Sequence, residues 1–217
     1  MDYPVILLGA GGHAKVLLDI LLEQNVKVLG VTIPNPDTES ETFCGIPIIG
    51  NDDCIKNFDN KAIELVNGIG SVASTKLRRT IYEKFKSLGY RFRNVIHSSA
   101  IVSNNSTLVQ GGIQVMAGAI INVGAFIDEN TIINTRVSVD HDCYIGKHVH
   151  LAPSTTLSGG VKIGDGTHVG SGSTIIQGVT IGKETIIGAG SLVLRDIADK
   201  ILAYGVPAVE MKKLGNS

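Results

Sequence analysis

His141 stands between Asp140 and Asp142, and this is the segment of the chain best suited to moving a proton. A neighbouring carboxylate holds an imidazole in one tautomer and favours its charged form, so the ring can accept a proton near neutral pH. For a lone histidine the plainer reading is a surface residue in a polar turn. Cys143, two positions on, adds a thiol that could in principle carry an acyl group. A second chemistry is offered near the start, where Gly9-Ala10-Gly11-Gly12-His13-Ala14 follows an apolar run and precedes a helical one. Backbone N–H groups at such a turn attract phosphate. Dinucleotide binding would want an acidic residue about twenty positions further on. Thr32-Ile33-Pro34 stand there instead, which points away from NAD and toward the phosphates of a nucleotide-sugar. The remaining reading is that these glycines serve only close strand–helix packing.

The elements that carry His141 are legible as a repeat. From Val115 to Val193 an aliphatic residue recurs at every sixth position without a miss, and four residues after each comes a small or β-branched one. A period of six fits neither an amphipathic helix nor an alternating hairpin sheet. It fits short strands joined by tight turns, three to a coil of eighteen residues, stacked roughly 4.8 Å apart as a parallel β-helix. Glycine often follows the aliphatic position directly, as at Gly146 and Gly164, where it is expected to serve the turns. An earlier frame, Ile96, Val102 and Leu108, joins the main one after a one-residue insertion around Gln110-Gly111-Gly112. On this pattern His141, two positions after inward Val139, faces outward. Cys143 takes the small inward position, where a buried thiol is unreactive. His150 and His168 occupy equivalent places on adjacent coils. The flat faces of such a prism are expected to pack against further copies as a homotrimer.

Residues 1–93 read differently, as a small α/β domain. Strands are expected over Tyr3–Leu8, Val26–Val31, Ile46–Ile49 and Ala62–Val66, with helices over Ala14–Gln24, from Asn51-Asp52, and over Thr75–Leu88. Alternation of this kind implies a small parallel, Rossmann-like sheet. Residues 94–217 form the β-helix, closed by a turn at Gly205-Val206-Pro207-Ala208. The 217 residues carry 19 basic and 20 acidic side chains, a net charge of −1, so no cationic field for nucleic acid is expected. Abundant glycine (26 residues) without tryptophan suits repeated tight turns. Three cysteines without a CxxC pair argue against disulfides or a zinc knuckle. With no leader-like opening and no apolar run of the ~20 residues needed to span a bilayer, the expected location is the cytoplasm.

The segment Gly9 to Val16, the hexapeptide run, Asn134, Val139-Asp140-His141-Asp142-Cys143 and the closing Gly205-Val206-Pro207-Ala208 together resemble the hexapeptide-repeat sugar acetyltransferases of the bacillosamine and sialic-acid type. These include enzymes that N-acetylate UDP-linked 4-amino sugars for bacterial glycans. The resemblance implies a left-handed β-helix and acetyl-CoA as the donor substrate. It implies that His141 is the general base, with Asp142 behind it and Asn134 near the reacting groups. It places Gly11, Gly12 and His13 against the nucleotide-sugar. His150, Gly159, Ser171 and Ala189 match places where acetyl-CoA is held, partly by backbone groups and between two subunits of a homotrimer. Two departures stand out. Many members carry glutamate where this chain has Asp142, and close relatives bind uridine through an Asp-Asp pair where this chain has Ile33-Pro34.

Transfer is expected to be direct, with His141 taking the proton of the sugar amine or hydroxyl and a backbone N–H from a β-helix turn steadying the oxyanion. A sialic-acid-type O-acetyltransferase is the rival enzyme. A non-catalytic sugar-nucleotide-binding protein on the same scaffold is the rival from another class. A zinc hydratase of the kind found on this fold pairs histidines five residues apart; the separations here are seven, two and eighteen, so no metal is expected.

Overall fold

The computed structural model describes residues 3–36, 41–71 and 74–215, so the outermost residues of both expected domains, 1, 2, 216 and 217, lie outside the described residues. The chain divides into two compact units. One takes the residues up to Gly70, with Thr80–Val95 and Gln110–Gly112; the other takes Ser71–Arg79, Ile96–Val109 and the chain from Ile113.

In the first unit, strand β1 (Val5–Leu8) is an apolar run with all residues buried, as a strand covered on both faces requires. Helix α1 (Gly12–Glu23) buries Ala14, Leu17, Leu18, Ile20 and Leu21, a spacing that keeps one face on the sheet. It starts two residues before Ala14, because the glycine turn feeds the backbone directly into the helix. Strands β2 (Val28–Thr32), β3 (Thr42–Phe43), β4 (Ile46–Gly50), β5 (Glu64–Asn67) and β6 (Arg91–Phe92) complete a sheet of order β3-β4-β2-β1-β5-β6. Its pairs are parallel except β3 with β4, a short antiparallel edge hairpin that the reading of an all-parallel sheet did not include. The helix expected from Asn51 is a 3₁₀ turn over Asp52–Asn57, opened by the Asn51 side chain accepting the Asp53 N–H at 3.0 Å. Helix α2 runs over Lys76–Ser87, and its residues from Thr80 onward belong to this unit.

In the second unit, two-residue strands recur every six residues and stack into three sheets, forming the left-handed parallel β-helix. Partners lie eighteen positions apart, as in Val139 with Leu157 and Ile145 with Ile163. In the first coil they lie nineteen apart, Ile101 with Ile120 and Thr107 with Phe126, and the extra residue falls where the insertion was read. The aliphatic positions from Val115 to Val193 are essentially inaccessible and form one core. The small positions are inward too, and their hydroxyls are satisfied by a carbonyl of the next turn: Thr131 Oγ1 donates to Gly146 O at 2.8 Å and Ser173 Oγ to Gly188 O at 2.9 Å. Buried hydroxyls without such partners would be costly.

The glycines fall into two classes that the sequence reading merged. Left-handed backbone recurs every sixth residue, but three positions after the aliphatic one, as at Gly118, Gly124, Asn130, Arg136, Asp142 and His148. The glycines directly after the aliphatic position serve close approach instead: a Cβ on Gly164 would lie 2.6 Å from the backbone nitrogen of Lys183 in the next coil. The stack ends in a hairpin, with Ile201–Gly205 parallel to Ile186–Ile187 and Ala208–Lys213 folding back on it. Ile201, Ala203 and Ala208 extend the core there.

Candidate active site

His141 lies in the turn between the strands Ser138–Val139 and Tyr144–Ile145. Asp140 Oδ1 accepts the His141 backbone N–H at 2.8 Å and the Asn122 side-chain amide at 3.1 Å, which shapes the turn. Asp142 takes the left-handed position, with φ at 58°. From there its Oδ2 lies 2.9 Å from His141 Nδ1. The carboxylate accepts the Nδ1 proton, so Nε2 is left bare on a ring whose side chain is 49% exposed. That hydrogen bond raises the His141 pKa above the ordinary histidine value; slight desolvation opposes it, and the charge of Asp140 adds to it. An exposed imidazole with an oriented tautomer and a raised pKa is a competent general base.

Two glycines frame this pair. A Cβ on Gly159, the equivalent position one coil on, would fall on Nε2 and Cε1 of His141, so the ring lies directly over that backbone. Gly160 N–H donates to His141 O at 2.8 Å and ties the two turns together. On the other side, a Cβ on Gly124 would collide with the Asp142 carboxylate.

The sign of the pH dependence follows. The base form of His141 appears only above its raised pKa, so a reaction that uses it as base is expected to show kcat/KM rising with pH through that value. Asp142→Asn removes the main cause of the shift, and the rising limb is expected to move to lower pH with a lower plateau, the loss being smaller than for removal of the histidine. A pH–rate profile of the two forms checks this. An unmoved limb would show that Asp142 does not act on His141.

The other candidates sit elsewhere. Asn134 follows the strand Ile132–Ile133, one corner of the prism before His141. Its Nδ2 lies 3.1 Å from His150 Nε2. His150 is buried and pairs in register with His168, their rings edge to face with centroids 5.0 Å apart. Ser171 and Ala189 lie exposed, one coil apart, on the same corner as Asn134. A single chain therefore holds His141, Asp142 and Gly159 at one corner, and Asn134, Ser171 and Ala189 at another. Cys143 is buried, its thiol pKa is pushed up by burial, and Sγ donates to Ser158 O at 3.2 Å, so it is core filler. Among the described residues no three His, Cys, Asp or Glu side chains gather as a metal site needs, and no helix is long and apolar enough to cross a membrane.

In the first unit, Gly11 caps α1 without a side-chain hydrogen bond, and the space where a Cβ on Gly11 or Gly12 would stand is open. A Cβ on Gly70 would lie 3.1 Å from that of His13.

Residues 4–85 match the family model of the PglD N-terminal domain, and residues 160–195 match that of the bacterial transferase hexapeptide (six repeats). A variant of the perosamine N-acetyltransferase from Caulobacter crescentus, solved in complex with CoA and GDP-perosamine, is 36% identical, with a TM-score of 0.89 over 98% of each chain. The chain belongs to the hexapeptide-repeat sugar N-acetyltransferases. The acetyltransferase domain of PglB from Neisseria gonorrhoeae FA1090, in complex with acetyl coenzyme A, is 29% identical with a TM-score of 0.88, covering 97% of this chain and 100% of that one. Likeness to the curated 2,3,4,5-tetrahydropyridine-2,6-dicarboxylate N-succinyltransferase from Dechloromonas aromatica (strain RCB) is more local. It is 32% over 91 residues, 41% of this chain and 28% of that protein's length.

Two features of this sugar N-acetyltransferase escaped the sequence reading. Thr32, at the C-terminal end of β2, donates to Asp52 Oδ1 at 2.6 Å, so a carboxylate does reach the end of the second strand, from the segment after β4. The Asn51-Asp52-Asp53 run was the signal, and only the β4-β2 adjacency gives it meaning. Ser71 Oγ lies 2.5 Å from His150 Nδ1, a contact across 79 positions that no periodicity announces.

Proposed function

We propose that this chain transfers the acetyl group of acetyl-CoA to the 4-amino group of a nucleotide-linked amino sugar. The observation that carries this is the His141–Asp142 pair, with Nδ1 committed to the carboxylate and Nε2 bare and exposed. The sugar amine attacks the thioester carbonyl as His141 Nε2 takes its proton. A C–N bond forms, the C–S bond breaks, and the imidazolium returns the proton to the departing thiolate, giving an acetamide and free CoA. Asp142 stabilises the imidazolium formed in between.

The open glycine turn and the first residues of α1, with Gly11, Gly12 and His13, are assigned to the nucleotide-sugar, their N–H groups facing phosphate. His150, Gly159, Ser171 and Ala189 are assigned to acetyl-CoA. Because these residues and Asn134 occupy a different corner from His141, apart from Gly159, we assign the working site to two chains of a homotrimer. Sedimentation at micromolar concentration is expected to give a three-chain species; a monomer would contradict this. The absence of any disulfide among Cys44, Cys54 and Cys143 suits a reducing cytoplasm.

Two observations favour a GDP-linked acceptor over a UDP-linked one. A relative that covers 98% of this chain was solved in complex with GDP-perosamine, and Ile33-Pro34 replace the uridine-binding aspartates expected of close relatives. A thiol-release assay against GDP-, UDP- and dTDP-linked 4-amino sugars and free sialic acid is expected to show turnover with the first. Turnover with sialic acid alone would establish the O-acetyltransferase. No turnover with any sugar would leave a sugar-nucleotide-binding protein.

A further inference from the structure

We propose that Ser71 and His168 are positioning residues that lock His150 in its Nδ1-protonated form and thereby hold the side-chain amide of Asn134 in one orientation. The use of Asn134 in acyl transfer rests on the reading above, whereas the locking itself does not.

The direction of this hydrogen-bond chain is fixed at its start. Asn134 Oδ1 accepts the Thr135 backbone N–H at 2.7 Å and the Thr135 hydroxyl at 3.3 Å. The amide oxygen is thus committed, and the group facing His150 Nε2 at 3.1 Å is the NH₂. An amide nitrogen only donates, so Nε2 must accept. A neutral imidazole with a bare Nε2 carries its proton on Nδ1, and that atom lies 2.5 Å from Ser71 Oγ. Ser71 therefore accepts from His150 and turns its own hydroxyl proton to His168 Nδ1, 3.4 Å away. His168 can accept only if its Nδ1 is bare. Burial lowers its pKa and keeps the ring neutral, so one of its two nitrogens carries no proton and can accept. His150 is itself buried, and the edge of one ring against the face of the other leaves little room to swing.

The consequence is a division of labour between histidines. A proton on Nε2 of His150 would confront the Asn134 NH₂ and turn the amide away from Thr135. His150 is therefore wired as a fixed acceptor, and proton transfer is left to His141.

The test reads ¹⁵N ring signals of His150 and the side-chain amide signals of Asn134 in the ligand-free full-length protein at neutral pH. The wild type is expected to show the Nδ1–H pattern and one sharp amide pair. Ser71→Ala and His168→Leu are expected to mix the ring pattern and broaden the amide. His168→Asn, whose amide oxygen can replace Nδ1 as acceptor, restores both. With substrates, Ser71→Ala and His168→Leu should lower kcat by about tenfold, the low end for partners that orient a working group, with the KM for the sugar little changed. An Nε2–H or charged His150 in the wild type would overturn the proposal, as would a Ser71→Ala protein with ring and amide signals unchanged. If those signals respond as expected and no sugar is acetylated even by the wild type, the locking stands and the acetyltransferase reading fails.

Discussion

His141→Ala is expected to lower kcat by ~10²–10⁴-fold, the usual range for a lost general base, while leaving a folded protein of unchanged sedimentation. The effect is large because Nε2 of His141 is the bare nitrogen of an oriented imidazole, and no other base stands beside it in the turn except aspartates. Asp140 already accepts two hydrogen bonds through Oδ1, and Asp142 accepts the ring's own proton. The fold survives because the side chain is half exposed and outside the core. His141→Asn keeps a polar group of similar shape without a basic nitrogen, and it should be as inactive as alanine. Thiol release under saturating acetyl-CoA and sugar measures both. Turnover at the wild-type level in either variant would remove His141 from the mechanism.

Gly159→Ala is expected to cost on the order of 10²-fold in kcat although it adds one methyl group. The three atoms nearest to such a methyl all belong to the His141 ring, so the imidazole itself must yield. A shift of about 1 Å in a reacting group is enough for a loss of this size. The backbone at Gly159 is not left-handed, so alanine is conformationally acceptable there and the coil should still form. Two measurements separate this steric effect from a loss of donor binding. The KM for acetyl-CoA should move far less than kcat. In a His141→Ala background the added substitution should change almost nothing, because residues acting through one another are not additive. Equal losses in both backgrounds would mean that Gly159 acts independently of the ring.

Much of the architecture could be derived from spacing alone. A strict period of six forces the prism, and inward Val139 forces His141 outward two positions later. The insertion near Gly111 was legible as a broken frame and appears as nineteen-residue pairing in one coil. What escaped the sequence depends on contacts between coils or between distant segments. Gly146 and Gly164 looked like turn residues because they recur beside turns; only the stacked coil shows that the next backbone leaves no room for a Cβ. The left-handed positions were hidden because Asn130, Arg136, Asp142, His148, Ser154 and Glu184 occupy them as well as glycines. Asp52 and Ser71 reach their partners through topology, which a one-dimensional pattern does not encode. Spacing makes His168 legible only as the equivalent of His150 one coil on; its place at the end of a directed hydrogen-bond chain depends on side-chain geometry.

Along the prism each strand pairs with the strand of the coil before and of the coil after, in most coils through residues eighteen positions apart. Opening of such a stack starts where a coil lacks one neighbour and spreads inward like a zipper. The His141 turn has coils on both sides, the strand before it pairing with Ile120–Ile121 and with Thr156–Leu157. The hairpin of Ile201–Gly205 and Ala208–Lys213 closes one end. Fraying at the last coil can therefore come and go without disturbing the imidazole, which keeps its aim while the ends of the rod breathe.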